Sequence, residues 1–206
     1  MLGLPKSTEI NKPLPKKVIF DKFKPNATDR KLFDEQISRL TIIAEISPQT
    51  VSIAASEEVS AVYLVLVTLK GADCDKKNIA LLSKLIDQRM LFALQQHEDE
   101  VRLAVYRAER VLISECKLLS DWKLNLSGLD LGAVWENIIA ETCSIKLSFG
   151  KSLDETITAN ERRDKLIKDI AALDKKAMHE RQPRRKWDYS DEIKRLKFEL
   201  EELNNG

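Results

Sequence analysis

The chain has 206 residues, of which 43% are hydrophobic, enough for a real core and too many for wholesale disorder. Lys and Arg number 34 against 33 Asp and Glu, a formal charge of +1, which excludes a general polybasic nucleic-acid coat and an acidic tail protein. A third of the residues are charged, with only 6 Gly and 6 Pro, which favours helices with solvated faces over a turn-rich all-β fold.

The charge is unevenly spread. Residues 1–31 hold eight Lys/Arg and three Asp/Glu, a net of +5. Residues 161–206 hold thirteen basic and eleven acidic side chains, a net of +2, which leaves −6 for residues 32–160. The near-neutral total is therefore the sum of a basic leader, an acidic middle and a mixed tail. The leader has no apolar core of signal-peptide length, and the longest apolar stretch, Val59 to Leu69, is too short to cross a bilayer. The chain is expected to be soluble and cytoplasmic. Three widely spaced cysteines, Cys74, Cys116 and Cys143, read as free thiols of a reducing compartment. With no CxxC, and with His97 and His179 far from any cysteine in sequence, no metal site and no cofactor are expected.

In chain order, Pro5, Pro13 and Pro15 make residues 1–14 an extended segment laid on the domain. A short helix follows from Lys16 to Phe23. A second is expected to start at Thr28 as N-cap with Asp29 in its first turn, placing Leu32, Phe33, Ile37 and Leu40 on one face. Leu40 to Ile46 reads as a β-branched strand stopped at Ser47-Pro48. Val59 to Leu69 is apolar on both alternating faces, as in a central strand covered on both sides. The loop Gly71–Asp75 caps a helix striped by Ile79, Leu82, Leu85 and Ile86. Three strands follow, Met90–Gln95, Val101–Ala108 and Val111–Cys116, as an antiparallel meander turning at His97–Glu100 and at Glu109-Arg110. A helix from about Asp130 to Ile145 presents Leu131, Val134, Trp135, Ile138 and Ile139.

The tail is different. Leu166, Ile170, Leu173 and Ala177 are spaced 4, 3, 4, and Ile193, Leu196, Leu200 and Leu203 are spaced 3, 4, 3. Both are narrow, coiled-coil-like seams on charged helices. Pro183 ends the first helix. Folding back pairs Leu173 with Leu196, Ile170 with Leu200 and Leu166 with Leu203. The expectation is an α+β domain over residues 1–150, with a mixed five-stranded sheet and flanking helices, then an antiparallel helical hairpin over 151–206. Its seams are short, so the hairpin needs support from the domain, from a second copy in a homodimer, or from a partner protein.

Chemistry is sparse. The glycines make no phosphate loop and no nucleophile elbow. A metal-dependent nuclease core would carry an acid and a Lys two apart on a strand, the acid on Mg²⁺ and the Lys orienting water. The central strand does end in Lys70, but Thr68 stands where the acid belongs, leaving Glu45 and Asp73 as substitute carboxylates. The densest charge cluster is the hairpin tip. Lys175, Lys176, Arg181, Arg184, Arg185 and Lys186 stand against Glu180 alone, and Trp187 follows. Cations beside an aromatic ring suit a protein contact, or a nucleic acid whose phosphates are neutralised and whose bases stack.

Several stretches in this order resemble one bacterial family: Leu4-Pro-Lys-Ser-Thr-Glu-Ile-Asn-Lys12, Pro15-Lys-Lys17, Ile46-Ser-Pro-Gln-Thr-Val51, Gly128-Leu-Asp-Leu131 with Val134-Trp135-Glu136, and the tip Glu180-Arg-Gln-Pro-Arg-Arg-Lys-Trp187. The family is known only as domain of unknown function 4391, and the likeness runs from Leu4 to about Leu203. It implies a small companion protein encoded beside helicases and DNA methyltransferases of restriction-type phage-defence islands. It carries no catalytic residue over to this chain. The expected role is thus a non-enzymatic adaptor docking a helicase or methyltransferase subunit. The alternatives are a Mg²⁺-dependent or degenerate nuclease at Glu45, Lys70 and Asp73, and a nucleic-acid-binding module using the tip.

Overall fold

A computed structural model of the chain describes residues 2–96, 99–146 and 152–205. The chain divides into two compact units, Met1–Lys146 and Leu147–Gly206. The expected boundary at 150/151, and His97 and Glu98 of the expected first turn, lie outside the described residues.

The first unit is an α+β domain around one mixed sheet of six strands, in the order β1-β2-β3-β4-β5-β6. These are β1 (Glu9–Pro13), β2 (Ile37–Ile46), β3 (Val62–Leu69), β4 (Arg89–Gln95), β5 (Glu100–Arg107) and β6 (Arg110–Leu118). All neighbours are antiparallel except β3 and β4. The helices are α1 (Lys16–Phe23) and α2 (Ala27–Gln36) between β1 and β2, α3 (Lys76–Leu82) in the β3–β4 crossover, and α4 (Leu131–Thr142) after the sheet.

The expected count of five strands is corrected to six. The extended leader is itself edge strand β1, with Lys12 opposite Ile42 and Pro13 opposite Thr41. Ile10 is its only apolar side chain, so no alternating pattern announces it. Pro13 is tolerated because an edge strand needs ladder bonds on one side only.

Two helix boundaries also move. Asn26, not Thr28, caps α2, accepting a hydrogen bond from the Asp29 N–H at 2.8 Å. The helix stops at Gln36, so Ile37 and Leu40 face the core from β2 rather than from a helical stripe. Pairing of Ile37–Ile46 with β3 overrides the helical period. Likewise α3 ends at Leu82, although Leu85 and Ile86 still pack into the same cluster from the turn beyond it. Asp75 caps α3, accepting from the Lys77 N–H.

Side-chain alternation divides the core between the two faces of the sheet. On one, Leu40, Ile42, Val65, Val67, Phe92 and Ala104 pack with Ile19, Phe33, Ile79 and Leu82 from the helices. On the other lie Leu64, Leu91, Ala93, Leu103 and Val105, all buried. β3 is therefore apolar on both faces, as its sequence reads. Asp130 caps α4, and Leu131 N–H bonds the Ala54 carbonyl, tying the loop between β2 and β3 to the start of that helix.

The β5–β6 turn is as tight as expected but lies one position earlier than Glu109-Arg110. Arg107 pairs with Arg110, so Ala108 and Glu109 are the two central residues, with φ of 50° and 60°. Positive φ at both positions is the twist-matched hairpin geometry, and it favours Asn and Gly. Glu109→Gly is expected to raise stability by about 1 kcal/mol, seen as a thermal midpoint a few degrees higher.

The second unit is a helical pair, α5 (Leu153–His179) and α6 (Pro183–Asn205), joined by three residues and running antiparallel. A reciprocal cap starts α5: Glu155 N–H donates to Ser152 Oγ, and Ser152 N–H to Glu155 Oε2. Leu166, Ile170, Ile193 and Leu196 form the buried seam, with Leu173, Leu200 and Leu203 packed against it. Ala177, expected in the seam, is half-buried and is not part of that cluster. The register also differs. Pairing Leu166 with Leu203 would set Arg163 opposite residue 206. Instead Arg163 reaches the Leu203 carbonyl and Asn204 Oδ1, and Arg162 Nε donates to Glu199 Oε1 at 2.8 Å.

Candidate functional site

The tip of the helical pair gathers every basic residue singled out there. Lys175 and Lys176 lie in the last turns of α5, Arg181 in the connection, and Arg184, Arg185 and Lys186 at the start of α6. All six are exposed, and among the described residues none has a carboxylate within ion-pair distance. The one acid in their midst is otherwise engaged: Glu180 Oε1 accepts the Gln182 N–H at 2.9 Å, shaping the turn. Trp187 is 69% exposed and Met178 78%, so two large apolar side chains stand in water among the cations.

The two halves of the cluster differ in electrostatic sense. Cations at the C-terminal end of α5 face the negative end of the helix dipole and stabilise that helix. Arg184, Arg185 and Lys186 occupy the first turn of α6, which has no acidic residue. There they oppose the dipole, at a cost on the order of a few tenths of a kcal/mol each. Helix stability therefore does not account for them. His179, the last residue of α5, is exposed as expected.

The residues of the nuclease reading do not converge. β2 and β3 are antiparallel, with Ile37 opposite Leu69 and Glu45 opposite Tyr63. Glu45 thus sits at the far end of the sheet from Lys70, roughly 20 Å away at the usual rise per residue. A carboxylate there cannot share a metal or a water with that lysine. Lys70 Nζ donates to the Asp34 carbonyl at 2.6 Å, in the last turn of α2. It closes a helix end rather than facing a substrate. Asp73 lies in the loop after β3 and its carboxylate is 3.6 Å from Arg102. Among the described residues no group of three His, Cys, Asp or Glu could hold a metal ion.

The thiols fall into two kinds. Burial pushes the Cys74 thiol up to about 11, helped by the Asp75 carboxylate, and burial alone pushes Cys143 up to about 11. Cys116 is exposed on β6. At about pH 8 a raised thiol holds roughly 100-fold less thiolate than an ordinary one, and the thiolate is the nucleophile. Alkylation of the folded protein is expected to label Cys116 first, with Cys74 and Cys143 lagging until denaturant is added, as counted by mass spectrometry.

The chain matches the model of one family, Domain of unknown function (DUF4391), over residues 2–200. It belongs to that family. The match takes in both units up to the last turns of α6, so the family extends over the tip as well as the sheet. Among curated proteins and among solved structures nothing matches. No described helix is long and apolar enough to cross a membrane. The residues missed by sequence reading are Arg162 and Arg163, which reach across from α5 to α6. Their position one turn before Leu166, flanking the seam, was the available signal.

Proposed function

We propose that this protein is a non-enzymatic accessory subunit of a bacterial restriction-type or phage-defence complex. It docks a helicase or DNA methyltransferase through the tip of the helical pair. The observation that carries this reading is the first turn of α6: three cations held against the helix dipole, with no acid in that turn and Trp187 exposed beside them. Such a cluster is accounted for by an anionic surface elsewhere that it meets. The seam and its Arg162–Glu199 link give the tip a rigid stem, so little ordering is needed on binding.

The test is co-expression with the products of its neighbouring genes, which on this reading include a helicase or a DNA methyltransferase, followed by tagged purification. The intact chain is expected to bring one of them down, and Arg184→Glu with Arg185→Glu is expected to lose it. The same double change places two acids at a helix start, so the helical pair should melt no lower than the parent. Loss of capture with intact folding supports docking. Capture undiminished by the reversal sinks it.

A second reading rests on Trp187, whose ring is open to stacking among the cations. It makes the tip a nucleic-acid contact, with affinity for single-stranded DNA that falls steeply with salt. Salt-insensitive binding, or none, removes it.

A further inference from the structure

β6 is the last strand of the sheet, and its outer edge has no partner strand among the described residues. The directions of its main-chain groups follow from the ladder with β5. Leu119 N–H bonds the Asp99 carbonyl, and Val101 stands opposite Lys117. Antiparallel pairs alternate between bonded and non-bonded, so Cys116 turns its N–H and C=O outward and Leu118 its N–H, the Leu118 carbonyl being taken by the Asp121 N–H at 3.0 Å. At the other end Arg107 and Arg110 close the tight turn, so Val111 and Ile113 turn outward too. Between the two runs lies a bulge: Arg102 faces Cys116 while Ala104 faces Ile113, leaving Ser114 and Glu115 both opposite Leu103. Leu103 N–H is taken by Ser114 Oγ at 2.8 Å.

The outward set is therefore Val111, Ile113, Cys116 and Leu118, spaced 2, 3, 2. That spacing reads the same in both directions. A bulge normally blunts a sheet edge, because a straight strand cannot match a three-residue step. Another copy of the same strand, laid antiparallel, matches it at every position.

We infer that β6 is the pairing edge of a homodimer. Val111 stands opposite Leu118 of the second copy and Ile113 opposite Cys116, with the two bulges facing each other across the axis. With the Leu118 carbonyl engaged by Asp121, the four outward positions on each strand then supply up to about six main-chain hydrogen bonds. Side chains agree with this register. All four outward residues are apolar and share one face of the sheet, so the exposed Cys116 and Leu118 each meet a β-branched neighbour across the new ladder. No like charges are placed opposite one another. Lys117, the kind of residue that usually guards an edge, is on the other face with its Nζ 4.8 Å from the centre of the Trp122 ring. This inference is independent of the tip and its partner.

The register makes a sharp test. Bonded cross-strand neighbours stand about 5.5 Å apart at Cα, within disulfide range, whereas the two Cys116 residues are offset by three positions, about 10 Å. The full chain is expected to sediment as a dimer of about 47 kDa, twice its 23.5 kDa. Ile113→Cys under mild oxidation should give a covalent dimer linked from position 113 to Cys116, with at least about ten-fold higher yield than the parent chain. Cys116→Pro removes an outward N–H that the fold does not use, and should shift the protein to monomer with an unchanged circular dichroism spectrum. If that variant misfolds, the linkage in Ile113→Cys still decides. A monomer for the parent chain, a Cys116–Cys116 linkage as the main product, or a dimer undiminished in folded Cys116→Pro overturns the inference.

Discussion

Phe33→Ala is expected to lower the stability of the sheet domain by about 3–5 kcal/mol, a large part of what a domain this size has. Phe33 is 1% exposed, at the centre of the helix-side core. Its ring meets Phe20 edge-on, with centroids 5.4 Å apart, and the Lys16 ammonium lies 5.9 Å from its centre. Truncation leaves a cavity bounded by two helices and β2. Those walls cannot close in, because Lys16 Nζ is also tied to Asp34 at 3.0 Å and to the Ile37 carbonyl. Urea unfolding followed by tryptophan fluorescence reads the loss. A change below about 1 kcal/mol would mean that the cavity collapses freely.

Leu166→Ala should act on the other unit. Among the described residues four buried side chains form its seam, with three half-buried leucines against them, and Leu166 is the most deeply buried. The loss of about 2–5 kcal/mol exceeds what so small a core can spare. The expected result is a fall in helical circular dichroism at 25 °C and rapid proteolysis between α5 and α6, with the sheet domain still melting cooperatively. Arg162→Ala, which removes an exposed ion pair to Glu199, should cost no more than about 1 kcal/mol and leave the pair folded. Comparable effects from the two changes would show that the charged rim, not the seam, holds the helices together.

What sequence alone could see follows from how each element is stabilised. β3 and the meander were legible because they bury apolar side chains at a strand period. The two seams were legible because their leucines repeat at 3 and 4 over charged backgrounds. β1 was not, since its support comes from main-chain bonds to β2 and its one apolar residue, Ile10, makes no pattern. The end of α2 was misplaced because Ile37 and Leu40, three apart, fit a helical face, and only the irregularity between Ile37 and Arg39 in the pairing with β3 brings both to one core from a strand. The hairpin register was off because leucine spacing defines a face but not an offset. The offset shows in the contacts of Arg162 and Arg163 across the pair. For the site, the tip was visible as composition, but the sense of its charges relative to the helix ends needed the start of α6 to be known. The separation of Glu45 from Lys70 needed the direction of β2.

The strand order of the sheet repeats the order of the strands along the chain. Each strand therefore emerges from the ribosome beside a neighbour that is already present, and no segment must wait for a distant one or thread between two others. Loop-closure costs stay low and folding can advance in one direction with synthesis. The last strand to be added is β6, so the edge left open at the end of that process is the one with the palindromic spacing.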